Sequence, residues 1–226
     1  MKWIILIVLV VVIVIGFSMF MHNEIRGDFI RYVALGDSYT IGEGASEDYS
    51  FPFLLTKDLQ KNGIKIELIA NPSVTGWTTQ QLIDNELPIY ESANPTFATL
   101  LIGVNDWVQG VQIDTFHKNL NFILDRMQGK LPDKKNIVVI TIPDFSVTPT
   151  GKQYTNGRDI PKGIAEFNEV IVMEARKRGL EVVDIYSITQ QMRGDLIALD
   201  GLHPSEKEYA LWEEKIYPIA ERILKN

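Results

Sequence analysis

Runs of four to six mostly apolar residues recur along this chain, and between them the apolar positions fall three and four apart. Five runs stand out: residues 32–35 (YVAL), 66–70 (IELIA), 97–102 (FATLLI), 137–142 (IVVITI) and 180–185 (LEVVDI). Short, almost unbroken apolar runs mark strands covered on both faces, as in parallel sheets. The segments between them read as helices. One spans residues 51–60 and stops at Asn62 and Gly63. Thr78 caps another that begins over residues 78–85. Phe116, Leu120, Ile123, Leu124 and Met127 form one face of a helix over residues 115–128, where His117 reads as a surface residue. A long amphipathic helix over residues 164–177 ends at Gly179. A closing helix over residues 205–224 starts with Ser205 and Glu208 at capping-box spacing. Strands alternating with helices are joined by right-handed crossovers, so the pattern predicts a mostly parallel sheet with helices on both faces.

One stretch breaks the pattern. Residues 3–21 (WIILIVLVVVIVIGFSMFM) carry no charge. At about 1.5 Å per residue, a helix of that length roughly matches the hydrocarbon thickness of a bilayer. It reads either as an uncleaved transmembrane anchor or as a signal peptide cut near Gly16-Phe17-Ser18. Lys2 and the amino terminus supply a positive flank, which puts the N-terminus in the cytoplasm and the rest outside. If the segment is cleaved, the product is secreted. Residues 22–29 form a polar linker, and residues 30–226 suit a single domain.

The whole chain carries a formal charge of −7, and Lys2 is the only charge before residue 22, so residues 22–226 carry −8. An acidic domain without clustered Lys and Arg argues against nucleic acid as a partner. There is no cysteine, which removes disulfides, thiol nucleophiles and cysteine metal sites. Three histidines and no H-E-x-x-H make a zinc site a poor fit. No cofactor motif is present either: neither a Walker loop nor G-x-G-x-x-G occurs.

Four segments carry chemistry. Gly36-Asp37-Ser38-Tyr39-Thr40 follows the first strand, Gly76 the second and Gly103-Val104-Asn105-Asp106 the third; Asp200-Gly201-Leu202-His203-Pro204 follows the fifth. Each has an ordinary reading alone: a turn serine, a loop glycine, a strand-end turn, a turn aspartate before a helix. Together they lie beyond the carboxyl ends of parallel strands, where open α/β sheets place their ligands. Ser38 is the candidate nucleophile, and it needs a base to take its proton. His203 is that base, because it alone of the histidines sits beside an acid in a loop. Asp200 can reach its other ring nitrogen and fix the tautomer. Ser38 N–H, Gly76 N–H and the Asn105 amide are candidate oxyanion donors. Asp37 and Asp106 read as structural acids that bond nearby loop N–H groups. Trp77 and Trp107, beside the oxyanion groups, read as exposed aromatics that stack on a sugar, line an acyl groove or pack the loops. The polar segment 145–161, rich in Gly, Thr and Pro, is a candidate lid. Ser38 fails the G-x-S-x-G elbow of α/β-hydrolases.

At these residues the chain resembles the SGNH (GDSL-type) hydrolase family, with Ser38, Gly76, Asn105 and His203 as its four signature residues. Tyr39 stands where that family often carries leucine. The resemblance, from about residue 31 onward, implies a flavodoxin-like three-layer α/β/α sandwich with a five-stranded parallel sheet. It implies hydrolysis of carboxylic esters or thioesters without metal or cofactor, on a small-molecule, lipid or glycan ester. Acyl transfer through the same acyl-enzyme, and a non-catalytic lipid- or carbohydrate-binding role, remain the alternatives.

Overall fold

The computed structural model describes residues 29–225. The apolar run at residues 3–21, with its anchor and signal readings, and the linker before Phe29 lie outside the described residues. Among the described residues no helix is long and apolar enough to cross a membrane.

Five strands form one sheet: β1 (Ile30–Gly36), β2 (Ile66–Ala70), β3 (Phe97–Leu101), β4 (Ile137–Ile140) and β5 (Glu181–Val183). Their order is β2-β1-β3-β4-β5, and every pair is parallel. The order reverses between β1 and β3, which opens a crevice at their carboxyl ends. Every residue of β3 and β4 is buried, as two covered faces require. The one polar pair between the central strands, Tyr32 Oη and Thr99 Oγ1, is satisfied at 2.8 Å.

The helices are α1 (Ser38–Ile41), α2 (Phe51–Lys61), α3 (Thr79–Gln81), α4 (Leu87–Ala93), α5 (Val104–Gln109), α6 (Ile113–Lys130), α7 (Ile160–Lys177), α8 (Tyr186–Thr189) and α9 (Glu206–Lys225). α2 and α9 pack together on one face of the sheet, while α4, α6 and α7 cover the other. α9 contributes Tyr209, Trp212 and Ile216 to the core, and α6 contributes the five apolar residues of its predicted face.

Several boundaries differ from the sequence expectation. Thr78 does cap, in a box with Gln81, but the helix it starts runs on to Ala93. It contains one wide π turn, Leu82–Glu86, in which Leu87 N–H bonds Leu82 O. Pro88 has no N–H to give to Asp84 O, and a wide turn accommodates that loss. The same turn directs Glu86 inward, where it accepts from Gly36 N–H at 3.0 Å. β5 ends at Val183 because the chain then folds onto Thr141, whose Oγ1 accepts from Ile185 N–H. α7 begins before residue 164, since Asp159 caps it and Pro161 occupies its first turn. The expected capping box at Ser205 is absent. Ser205 donates its hydroxyl to Asp195 O and its N–H to Leu196 O. Glu208 is buried and accepts from Trp212 Nε1 instead of reaching back. His117 is not a free surface residue: Nε2 meets Glu174 Oε1 at 2.8 Å, joining α6 to α7.

Candidate active site

Ser38 opens α1 directly after β1. Asp37 caps that turn by accepting Tyr39 N–H at 3.1 Å. The strand-to-helix bend is tight: a Cβ on Gly36 would lie 2.3 Å from Leu101 O and 2.1 Å from Thr40 Oγ1. Glycine at 36 therefore permits close approach of β1 and β3. Gly76 is needed for a different reason. A Cβ there would meet nothing within 4 Å, but its φ of +81° lies in the left-handed region that favours glycine.

Ser38, Gly76, Asn105 and His203 line one cavity of about 220 Å³. Asp200 stands behind it. Its Oδ2 lies 2.6 Å from His203 Nδ1, and its Oδ1 accepts the N–H groups of Leu202 and His203. Partial burial pushes the Asp200 carboxyl up, but those N–H groups and the imidazole outweigh it and hold it below its usual range. An ionised carboxylate only accepts, so Nδ1 donates to it, which leaves Nε2 as the ring nitrogen free of Asp200. The Tyr39 ring packs edge-on against the imidazole at 5.7 Å and is itself packed against Trp212. Ser38 Oγ makes no hydrogen bond to another described residue, so the serine–histidine bond is not formed in this arrangement.

The candidate oxyanion donors line the same cavity. Neither Ser38 N–H nor Gly76 N–H is consumed by a turn or loop hydrogen bond among the described residues. Asn105 Nδ2 gives one hydrogen to Trp77 O at 3.0 Å, while its approach to Asp37 Oδ2 is long, at 3.4 Å. The carbonyl aims the amide, and the second hydrogen is only weakly held. Asp106 ties the Gly76 loop to α5 by accepting Thr79 N–H at 2.8 Å and Thr79 Oγ1 at 2.5 Å.

Among the described residues, Glu43, Asp200 and His203 are grouped closely enough for a cation. Asp200 is engaged with Nδ1, which leaves Nε2 and Glu43. Two donors fall short of the three or four protein ligands of a zinc site.

Trp107 corrects the sequence expectation. It is buried, not exposed. Its indole lies under the Arg158 guanidinium at 4.2 Å, edge-on to Phe145 at 5.9 Å and against Gly163 of α7. It cannot stack on a sugar. Gly163→Ala puts a Cβ 1.8 Å from Trp107 Nε1. Alanine gains about 1 kcal/mol of helix propensity, and overpacking costs about 1–3 kcal/mol. Thermal denaturation is expected to show a net loss of stability.

Segment 145–161 holds two 3₁₀ turns, Phe145–Val147 and Gly151–Tyr154. Thr150 N–H and Oγ1 both donate to Gly201 O, and Arg158 reaches Trp107 O and Val108 O. Phe145 and Tyr154 reach the cavity wall. The sequence reading missed these two, and it missed Glu43 and Thr75, which form the polar rim. A Gly-Glu-Gly after the serine turn was the available signal for Glu43.

Burial raises both Asp37 and Glu86 to about 8, and the negative charge of Asp106 adds to the rise at Asp37. The folded state then binds more protons than the unfolded state between about pH 4 and pH 8. That contribution to stability is full below about pH 4 and lost as pH climbs through 8. The thermal midpoint is expected to fall from pH 5.5 to 8.5, and Asp37→Asn with Glu86→Gln is expected to flatten the fall.

The psychrotrophic esterase EstA from Pseudoalteromonas sp. superimposes with a TM-score of 0.68 at 20% identity, covering 87% of this chain and 99% of that chain. A family 3 carbohydrate esterase from Clostridium thermocellum gives 0.70 at 21% identity, covering 88% and 98%. A lipase/acylhydrolase from Enterococcus faecalis gives 0.65 at 22% identity, covering 85% and 96%. No curated protein matches by sequence. At these identities the structures speak for the fold, and the sequence itself speaks for the family: the model of the GDSL-like lipase/acylhydrolase family matches residues 34–211, and the chain belongs to that family.

Proposed function

We propose that the chain is a serine esterase for short acyl groups, working through Ser38, His203 and Asp200. His203 Nε2 takes the Ser38 proton as Oγ attacks the acyl carbon. Ser38 N–H, Gly76 N–H and Asn105 Nδ2 hold the oxyanion. Asp200 stabilises the imidazolium, which then protonates the leaving alcohol. Water, deprotonated by His203, cleaves the acyl-enzyme and restores Ser38.

The observation that carries the reading is the shared cavity of Ser38, Gly76, Asn105 and His203, with Asp200 bonded to the far ring nitrogen. Its size supports a short acyl group: about 220 Å³ falls below the roughly 300–1,000 Å³ of pockets for larger ligands. Val104, Val108 and Phe145 supply an apolar wall for the acyl chain. In this reading residues 3–21 tether the domain outside the membrane, close to lipid and glycan esters.

The test is hydrolysis of p-nitrophenyl esters from acetate to palmitate by residues 27–226, with Ser38→Ala alongside. Turnover is expected to peak between acetate and butyrate and to vanish in the variant. Turnover that survives Ser38→Ala overturns the mechanism, and a peak at palmitate overturns the short-acyl assignment.

A further inference from the structure

Resting on the esterase reading, we infer that Glu43 selects the alcohol half of the ester, favouring hydroxyl-rich, uncharged alcohols of the sugar type and rejecting anionic ones. Glu43 Oε2 lies 3.8 Å from His203 Nε2. In the proposed reaction that nitrogen protonates the leaving oxygen, so the oxygen must come within about 3 Å of it. The first carbons of the alcohol, and any groups on them, are thereby brought beside the Glu43 carboxylate.

Three observations make this a built position rather than a passing surface acid. Thr75 Oγ1 donates to Glu43 Oε2, which ties the carboxylate to the loop that carries Gly76. Glu43 O accepts from Tyr209 Oη at 2.9 Å, so its backbone is tied to α9. Gly44 lets this turn approach the histidine loop, since a Cβ there would lie 2.7 Å from Pro204 O and 2.9 Å from His203 Cβ. The side chain keeps about two-fifths of its exposure, which leaves acceptor sites open toward the cavity mouth.

The cavity therefore has two chemically different sides: apolar residues for the acyl chain, and Glu43 with Thr75 on the alcohol side. A carboxylate accepts hydrogen bonds and donates none, so it rewards hydroxyl groups. It repels a phosphate or carboxylate on the leaving group, and for an anion roughly 6 Å away the repulsion is worth about tenfold in rate. Glycan-type acetates fit that side, and phosphate-bearing glycerol esters do not.

The experiment compares kcat/KM for three acetates: a mono-acetylated methyl glucoside, hexyl acetate and 1-acetyl-glycerol 3-phosphate. Wild type is expected to rank them in that order. Glu43→Gln, isosteric and uncharged, is expected to shift the ratio of phosphate ester to glucoside ester upward by about tenfold. Thr75→Val, which frees the carboxylate from its tether, is expected to shift the ratio the same way by a smaller factor. Thermal melts confirm that both variants are folded. A ratio that stays within twofold in Glu43→Gln, with wild type active, overturns the inference and leaves the esterase reading standing. Absence of Ser38-dependent turnover on all three acetates overturns the esterase reading, and the inference falls with it.

Discussion

Ser38→Ala is expected to lower kcat/KM on p-nitrophenyl acetate by about 10⁴-fold to 10⁶-fold. On the proposed mechanism the variant loses the atom that forms the acyl-enzyme. The fold should be indifferent to the change. Ser38 Oγ bonds no other described residue, so its removal orphans no partner. The Asp37 cap and the backbone of α1 do not use the hydroxyl. The thermal midpoint is expected to move by less than about 4 °C, the shift that about 1 kcal/mol produces in a domain of this size. Activity and melting measured on one preparation therefore separate chemistry from folding.

Asn105→Ala is expected to lower kcat by about 10²-fold to 10³-fold with little change in KM, the mark of a group that bonds the oxyanion more strongly than the bound ester. Part of the effect is on positioning. Asn105 Nδ2 bonds Trp77 O, and Trp77 directly follows Gly76, so the amide also fixes the Gly76 N–H. Stability is expected to drop by about 1 kcal/mol for the lost hydrogen bond. A fall in kcat/KM that came wholly from KM would remove Asn105 from the oxyanion hole.

The strands and the four chemical blocks were legible in the sequence because each is local. A buried parallel strand writes itself as an apolar run, and a strand-end turn as glycine with a polar residue. What failed to show depends on partners far along the chain. Trp107 is buried because α7 brings Gly163 against it, 56 positions later in the numbering. The spacing of Ser205 and Glu208 suits a capping box, yet Trp212 and the Asp195–Leu196 carbonyls claim those groups. The π turn answers to Pro88, whose consequence for Glu86 needs the neighbouring strand to be visible. Glu43 escaped notice for the same reason: nothing within five residues of it says that His203 lies alongside. Tyr39 shows its packing against His203 only in three dimensions.

Ser38 and the Asp200–His203 loop stand near opposite ends of the folded domain's sequence. At about 5–20 residues per second, a ribosome makes Ser38, the proposed nucleophile, roughly 8–30 seconds before His203, its proposed base. For that interval the chain holds a serine with nothing to deprotonate it. The base arrives just ahead of α9, whose Trp212 packs on Tyr39, the residue that seats the imidazole. On the proposed mechanism reactivity is thus withheld until α9 has been made and docked, and a product truncated before His203 has no base with which to activate Ser38.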